Sequence, residues 1–473
     1  MTTASTAEVM GRRSEIIRRA LGLDYGKFAH GPLRFDYEGL MQSAGYSLDE
    51  VRRIQAESGV GRTPLLELRN MTALARELAP AGKGARILLK DEAANPSGSF
   101  KARRAALAVH DAAARGYRGV VAATSGNYGA AVASQAAMCG LRCIVVQEAF
   151  DSRGLGQPEI LEKGRACEAY GAEVVQLTVG PELFHVFLAV LEETGFYNAS
   201  LYTPHAVAGI ETLGAEVAEE VRARFGRHPD VCVITHAGGG NVTGTARGLQ
   251  KVGAAGTEIV GVSVDLGGLH MASDRDFNRK SFTTGHSGFG IPFATQPDRV
   301  DVPRNAARSL RYLDRLVHMT QGEVFYATEM LAKLEGLERG PAGNTSLAAA
   351  FVLAQRTDCD RFVVVQETEY TGAGKHPLAQ LTFARQNGVE VRRGDPRGNV
   401  PGKAIVIPEH PGQLTFTEVA LKELRASYVR NAVRAAGVKV IGHEDIAFLM
   451  QETRAAEPLV RGVLAELEVS LVA

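Results

Sequence analysis

The apolar positions along the chain change period repeatedly between residues 60 and 370. Short continuous apolar runs, rich in β-branched residues, alternate with longer segments of helical periodicity. The runs predict the strands Arg86–Lys90, Val120–Thr124, Cys143–Gln147, Glu173–Leu177, Val231–Thr235, Ile259–Val264 and Phe362–Gln366. The longer segments predict the helices Ser99–Arg115, Tyr128–Cys139, Pro158–Tyr170, Pro181–Glu193, Thr212–Phe225 and Val242–Val252. This alternation predicts an α/β fold in which helices cover both faces of parallel sheets.

The two ends of the chain follow other patterns. Residues 1–56 predict helices around a polar loop, and residues 413–473 predict mainly helices after a linker at 394–403. Residues 265–303 are rich in Gly, Ser, Asp and Phe and have no clear period. A loop of this length inside a compact chain is usually functional or mobile.

Composition narrows the class of protein. Lys+Arg and Asp+Glu both number 53 in the 473 residues, which gives no support to a nucleic acid or an anionic membrane as partner. No signal peptide is recognisable, and no apolar stretch approaches the roughly 20 residues that span a bilayer. We therefore expect a cytoplasmic protein. The five cysteines are an odd number, which argues against a disulfide framework, and we expect no metal site.

The segment Asn95–Lys101 places a lysine at the start of a predicted helix. Its first residues are typical of a turn, and Ser97 or Ser99 can cap the helix. Lys101 then lies in the first helical turn, where the helix dipole favours a neutral amine. A neutral amine is the form that Schiff-base chemistry requires. Taken alone, the motif also fits an ordinary surface lysine.

Residues 124–129, with the sequence Thr-Ser-Gly-Asn-Tyr-Gly, connect a predicted strand to a helix. The carboxyl ends of parallel strands are where α/β sheets bind ligands, and free amides at a helix N-terminus suit a carboxylate. Thr124, Ser125 and Asn127 add side-chain donors. A capped turn without a ligand is the alternative.

Residues 235–244, with the sequence Thr-His-Ala-Gly-Gly-Gly-Asn-Val-Thr-Gly, follow another predicted strand. The glycines let the backbone approach an anion closely, and the next helix adds its dipole. The spacing lacks the Gly-Lys-Ser/Thr of a Walker A loop, and Thr243 replaces the last glycine of the dinucleotide fingerprint. The loop therefore predicts a site for a small phosphate monoester, with a ligand-free connection as the alternative.

A polar segment, residues 367–377, follows the last predicted strand. At the carboxyl end of that strand, Thr371 is placed to donate a hydrogen bond to a ring nitrogen, and Glu367 and Glu369 are alternatives. We expect Glu369 to be a solvated carboxylate, as most acidic residues are.

The order and spacing of these motifs resemble the fold-type II, or tryptophan-synthase-like, family of pyridoxal-phosphate (PLP) enzymes. The resemblance rests on residues 95–101, 125–129, 238–243 and 371–375. It implies two parallel-sheet domains with helices on both faces, N-terminal helices and a C-terminal extension. The implied limits are 1–56 for the N-terminal helical segment, 57–101 and 216–384 for the large PLP-binding domain, 102–215 for a smaller mobile domain, and 385–473 for the C-terminal extension.

The resemblance also implies roles for single residues. Lys101 is expected to bind PLP as a Schiff base, Asn127 to contact the 3-hydroxyl group of the cofactor, and Thr371 to face its pyridine nitrogen. The residues expected to bind the phosphate are Gly238, Gly239, Gly240, Asn241 and Thr243. Those expected to bind the substrate carboxylate are Thr124, Ser125, Gly126 and Tyr128.

Further segments resemble the β subunits of 2-amino-4-ketopentanoate thiolases over nearly the whole chain, namely residues 12–17, 90–95, 157–163 and 202–204. This resemblance implies a PLP-dependent acyltransferase that cleaves 2-amino-4-ketopentanoate with coenzyme A (CoA) to acetyl-CoA and alanine in ornithine degradation. It implies a smaller α subunit as partner, and we expect an oligomer. No CoA-binding motif is recognisable, so we expect CoA at the subunit boundary or in the 265–303 loop. The acid that protonates C3 stays open, with Tyr128, His236 and His270 as candidates.

Two alternatives remain at this point. The first and last motifs also resemble threonine synthases, although Ala102 stands where those enzymes commonly have aspartate after the lysine. A β-replacement or β-elimination lyase of the threonine-synthase or cysteate-synthase type predicts a spectral change with O-phosphoserine and no need for CoA. A non-catalytic PLP-binding scaffold subunit predicts PLP binding and no spectral change with any amino acid.

Overall fold

The computed structural model describes residues 5–124, 126–180, 182–267, 276–281, 290–296, 298–304, 307–370 and 377–472. Its helices are α1 Thr6–Gly11, α2 Arg13–Leu21, α3 Tyr37–Gln42, α4 Leu48–Glu57, α5 Arg69–Leu78, α6 Lys101–Ala114, α7 Asn127–Met138, α8 Pro158–Ala169, α9 Glu182–Thr194, α10 Pro204–Phe225, α11 Gly240–Lys251, α12 Phe277–Lys280, α13 Gly290–Thr295, α14 Gln321–Glu335, α15 Thr345–Arg356, α16 Pro377–Gln386, α17 Leu421–Ala436, α18 His443–Thr453 and α19 Glu457–Glu466. Its strands are β1 Ala29–His30, β2 Arg34–Phe35, β3 Leu65–Glu67, β4 Arg86–Asp91, β5 Gly119–Thr124, β6 Arg142–Phe150, β7 Glu173–Thr178, β8 Tyr197–Asn198, β9 Val231–Thr235, β10 Glu258–Val264, β11 Arg315–Met319, β12 Phe362–Glu367, β13 Glu390–Arg393, β14 Ala404–Ile407, β15 Thr417–Glu418, β16 Val440–Ile441 and β17 Ser470–Leu471.

Two sheets with parallel central strands form the core. The larger sheet has the order β15-β11-β10-β9-β12-β4-β3, and only its edge strands β15 and β3 pair antiparallel with their neighbours. The smaller sheet has the order β7-β6-β5-β8 and is parallel throughout. Strands such as β5 and β12 are buried at every position, as sheets covered on both faces require. The predicted fold class is confirmed.

The seven predicted strands are all present, and their ends differ from the prediction by at most three residues. Helix α10 is longer than predicted, because the Thr203 hydroxyl accepts a hydrogen bond from the Ala206 amide at 3.2 Å and caps it. Strand β11 lacks a predicted counterpart, since Arg315 and His318 interrupt its apolar run. Strand β15 lies in the predicted C-terminal extension and yet joins the larger sheet. The domain limits themselves remain a prediction.

Helices α10 and α11 pack backbone to backbone through glycines. A Cβ atom on Gly214 would lie 2.0 Å from the carbonyl oxygen of Thr245, and one on Gly248 would lie 1.9 Å from that of Glu211. No side chain fits at either position, so the helices approach as closely as their backbones permit. This contact positions the Gly-rich loop, because α11 begins at the end of that loop.

A buried ionic network anchors the first turn of α6. Arg103 donates to both oxygens of Glu92 at 2.7 and 2.9 Å and to both oxygens of Glu216 at 2.9 and 2.8 Å. Lys90 Nζ lies 3.1 Å from Glu216 and donates to Glu220 at 2.8 Å. The side chains of Lys90, Glu92 and Arg103 are fully buried. The network ties α6 to α10 and to the end of β4.

Glu216 is expected to make stability depend on acid pH. Burial acts to raise its pKa, but the charges and hydrogen bonds of Arg103 and the charge of Lys90 lower the pKa to about 2, against an ordinary value of 4.5. A carboxyl with a lower pKa in the folded state stabilises the fold above its unfolded pKa and loses that contribution as pH falls. Glu216→Gln should therefore cost about 3 kcal/mol at pH 7, and the difference should vanish between pH 5 and pH 2.

Urea unfolding at a series of pH values measures this difference. Glu57→Gln, at a side chain that is 58% exposed, is the surface control. A difference between wild type and Glu216→Gln that stays constant from pH 7 to pH 2 would contradict the assignment.

Candidate active site

Three segments that follow parallel strands meet around Lys101. The segment after β4 pairs with the segment after β12, because Phe100 N donates to the Thr368 carbonyl at 3.0 Å and Tyr370 N donates to the Gly98 carbonyl at 2.8 Å. Helix α7, which follows β5, contacts the turn at 96–98. Ligand sites of α/β sheets lie at the carboxyl ends of the strands, and these contacts collect such ends in one place.

Lys101 is the first residue of α6 and follows the N-cap residue Phe100. Its side chain is 15% exposed, and Nζ lies 3.9 Å from the Glu369 carboxylate. The predicted serine cap is wrong, since neither the Ser97 nor the Ser99 hydroxyl bonds to the helix, and both hydroxyls are buried without a partner among the described residues. The hydroxyls therefore remain available to a ligand.

The electrostatic setting of Lys101 favours a neutral amine. Burial lowers the pKa of its ammonium group, the Glu369 carboxylate opposes this effect, and the Arg104 cation adds to it. The lowered pKa has the direction expected from the helix dipole, but burial of the side chain is its main cause. A buried amine with a lowered pKa is suited to attack an aldehyde.

Glu369 corrects the sequence prediction of a solvated carboxylate. Its side chain is only 3% exposed, because residue 369 pairs with Ser99 in an isolated antiparallel bridge. Its amide donates to the neighbouring Glu367 carboxyl at 3.1 Å. Burial and the charge of Asp91 raise the pKa of Glu367 well above its ordinary value. The end of β12 therefore contributes two buried carboxyl groups to the site.

Glu159, for which no sequence motif indicated a role, also interacts with the residues around Lys101. It lies in the first turn of α8, is buried, and accepts a hydrogen bond from Gln380 of α16 at 3.0 Å. Burial and the nearby Glu369 raise the pKa of its carboxyl, while Lys163 and Lys101 oppose the shift. Residues 157–163 carried a family resemblance, but nothing in this segment by itself indicates that Glu159 interacts electrostatically with Lys101.

The Gly-rich loop has the shape of a cradle. Gly239 has φ of +84°, and a Cβ atom there would lie 2.9 Å from the Ser309 hydroxyl. A Cβ atom on Gly238 would overlap the Tyr202 hydroxyl at 1.5 Å. Thr243 donates to the Gly239 carbonyl at 2.8 Å and accepts from the Arg308 amide at 3.1 Å. Thr243 therefore holds the cradle in shape at the N-terminus of α11, where free amides suit an anion.

The loop after β5 is shaped in a similar way. The Thr124 hydroxyl accepts hydrogen bonds from the amides of Gly126 at 3.0 Å and Gly129 at 3.2 Å. Asn127 and Tyr128 begin α7 and are buried.

Three residues with predicted roles lie outside the described residues. They are Ser125, His270 and Thr371. Their roles therefore stay predictions.

A family model described as "Pyridoxal-phosphate dependent enzyme" matches residues 56–367, about two thirds of the chain. The chain belongs to this family of PLP-dependent enzymes.

Relatives of this PLP enzyme are similar over almost its whole length. It is 65% identical over 463 residues to a protein named 2-amino-4-ketopentanoate thiolase beta subunit from an unknown prokaryotic organism, with 98% of each chain covered. It is 61% identical over 464 residues to the protein of the same name from Acetoanaerobium sticklandii, with 98% of this chain and 99% of that one covered. Among solved structures, a threonine deaminase from T.th. matches with a TM-score of 0.52 and 26% identity, over 68% of this chain and 96% of that chain.

The residues around Lys101 fit PLP. Several buried polar atoms near the cradle and the β5 loop have no partner among the described residues. They include Ser99 Oγ, Asn127 Oδ1, Tyr128 Oη and Asn241 Nδ2. A buried polar atom without a partner costs about 1–3 kcal/mol, so such a group of atoms indicates a polar ligand. Lys101 would hold the aldehyde, and the amides at Gly238–Asn241 would hold the phosphate. Within the described residues, no helix has the length and apolar composition needed to cross a bilayer.

Proposed function

We propose that this PLP enzyme is the catalytic β subunit of a two-subunit thiolase. It would cleave 2-amino-4-ketopentanoate with CoA to acetyl-CoA and alanine, consistent with a role in ornithine degradation. The observation that carries the proposal is the 65% and 61% identity to two proteins of that name, each over 98% of the chain. A smaller α subunit is the implied partner, and the assembly is proposed to be an oligomer.

The chain's own residues supply binding, orientation and proton transfer. PLP, when bound, supplies an electron sink for charge that develops beside the substrate amino group. Lys101 would be the base that takes the Cα proton and the acid that returns a proton to Cα of alanine. The amides at the start of α7, with Thr124, Ser125, Gly126 and Tyr128, are proposed to orient the substrate carboxylate. Asn127 is proposed to contact the PLP 3-hydroxyl, and Thr371 its ring nitrogen.

Thiolysis also moves a proton between two substrates. The CoA sulfur bonds to C4, the C3–C4 bond breaks, and the proton lost by the thiol must appear on C3 of alanine. A thiol loses its proton near pH 8.5, so the carrier needs a comparable pKa. Burial raises the pKa of Tyr128 above this range and lowers that of His236 to about 4. Glu159 is buried at the start of α8 and interacts electrostatically with Lys101, and burial raises the pKa of its carboxyl. We propose this carboxyl as the carrier.

Glu159→Gln is expected to lower kcat for acetyl-CoA formation by about 10²–10³-fold, because glutamine cannot carry the proton. The absorbance of bound PLP should not change. Glu162→Gln removes the same group from the same helix at a side chain that is 34% exposed, and should retain activity. Steady-state rates measured from pH 6 to pH 9 test the assignment. Equal rates for Glu159→Gln and Glu162→Gln would contradict it.

The decisive assay uses the chain with and without its proposed α subunit. Addition of 2-amino-4-ketopentanoate and CoA should produce acetyl-CoA and alanine in the presence of both subunits. O-phosphoserine without CoA is the second arm. Turnover of that substrate, with no acetyl-CoA from either preparation, would favour the lyase. PLP binding with no spectral change for any amino acid would favour the scaffold subunit.

A further inference from the structure

Arg104 is buried one helical turn after Lys101 and points toward the phosphate cradle. Its side chain reaches Gly240, because a Cβ atom on that glycine would lie 2.5 Å from Arg104 Nη2. Nη1 donates to the Leu201 carbonyl at 2.7 Å, while Nε is buried without a partner. The residue is 3% exposed. Nη2 is therefore the guanidinium atom that lies nearest the start of α11.

The surroundings of Arg104 hold no compensating charge among the described residues. Its guanidinium lies 5.5 Å from the Phe100 ring centroid and 5.7 Å from that of Tyr202, and no carboxylate lies within ion-pair distance. Other buried arginines nearby do have such partners. These ion pairs are Arg103 with Glu92, Arg299 with Asp301, and Arg308 with Glu452.

A buried cation without an anion is unfavourable, and cation–π contacts compensate only a small part of the desolvation. Burial lowers the pKa of Arg104 because it disfavours the charged form, while the nearby Tyr202 and Tyr128 act to raise that pKa. Nε and Nη2 make no hydrogen bond among the described residues, and arginine can bind a phosphate or carboxylate through two parallel hydrogen bonds from such a pair of nitrogens. The side chain thus has the charge, the free donors and the position of an anion ligand.

We infer that Arg104 is a phosphate-binding residue, whose guanidinium completes the site that the amides of Gly239–Asn241 begin at the N-terminus of α11. This inference deepens the proposed function and rests on it for its ligand. Two phosphates are available in that reaction, one on PLP and others on CoA. The cofactor's phosphate is the expected ligand, because Arg104 lies one helical turn after Lys101 and its guanidinium lies beside Gly240 of the Gly-rich loop.

The test is the affinity of the apoenzyme for PLP and for pyridoxal, which lacks the phosphate, measured by fluorescence titration. Arg104→Met should weaken PLP binding by about 10–100-fold and leave pyridoxal binding unchanged. Arg104→Lys should recover part of the loss, since lysine retains the charge without the paired donors. If PLP binding is unchanged but the Kd for CoA, measured by the same kind of titration, rises by a similar factor, Arg104 binds a CoA phosphate instead.

Arg304→Met is the matched control. The Arg304 guanidinium also stacks on a ring, 4.9 Å from the Phe35 centroid, and donates to a backbone carbonyl, that of Leu33 at 2.8 Å. This variant should bind PLP like the wild type. The melting temperature of the apoprotein distinguishes a packing role, because removal of an uncompensated cation should not lower it. Inorganic phosphate should raise the melting temperature of the wild-type apoprotein and not that of Arg104→Met.

Equal weakening of PLP and pyridoxal binding with a less stable apoprotein, or unchanged affinity for both PLP and CoA, would overturn the inference. These titrations need no turnover. A negative result in them therefore differs from a failure of the acetyl-CoA assay, which would count against the thiolase and not against the phosphate contact.

Discussion

Replacement of Lys101 with alanine is expected to abolish the visible absorbance of lysine-bound PLP and to lower acetyl-CoA formation on the order of 10⁴-fold or more. Both effects have one cause. In the proposed function, Lys101 would hold the aldehyde, and the same amine would be the base for the Cα proton. Absorbance spectra and steady-state rates at saturating PLP measure the two effects separately.

The control for Lys101 is a second lysine, Lys163, that interacts electrostatically with it. Lys163 is buried in α8 and contributes to the electrostatic environment of Lys101. Lys163→Met should retain the absorbance of bound PLP. If the band instead survives in Lys101→Ala and disappears in Lys163→Met, the cofactor is attached to the other lysine and the site assignment is wrong.

Replacement of Arg103 with alanine should produce the largest loss of stability, about 3–5 kcal/mol. The substitution leaves the buried Glu92 carboxylate without its charge partner and removes the two hydrogen bonds to Glu216. A buried ion pair adds little to stability compared with an apolar pair of the same volume. Removal of one partner, however, leaves the other charge buried without a counter-charge, which is strongly destabilising. The free energy of unfolding in urea measures the effect.

Arg53→Ala is the surface comparison for this experiment. Arg53 pairs with Glu57 four residues away, and the two side chains are 64% and 58% exposed. Exposed pairs contribute little, so this variant should unfold almost like the wild type. If Arg103→Ala changed the free energy of unfolding as little as Arg53→Ala does, the network at the start of α6 would have no structural role.

Local signals explain which parts of the site are predictable from sequence. The turn residues before Lys101 and the glycines at 238–240 each impose a backbone shape without help from distant residues. The strands that precede them are continuous apolar runs. Order along the chain then places both loops at carboxyl ends of parallel strands, where ligands bind.

The burial of Glu369 and Glu159 could not be predicted from local sequence. An acidic residue in a loop is usually solvated, and Glu369 is buried only because its backbone pairs with Ser99. Glu159 belongs to a helix of the smaller-sheet region, and its hydrogen bond comes from Gln380, far along the chain. Neither environment has a local signature, because each arises from a contact between distant segments.

The adjacent residues Arg103 and Arg104 separate what the sequence determines from what the tertiary structure decides. By itself, the sequence determined the α/β class, the lysine at a helix start and the glycine cradle, since these follow from the conformational preferences of neighbouring residues. Only the tertiary structure decided that one arginine is neutralised by Glu92 and Glu216 while the next faces the cradle with free donors. The reason is physical: the cost of a buried charge depends on which groups surround it in space, and those groups come from elements far apart in the chain.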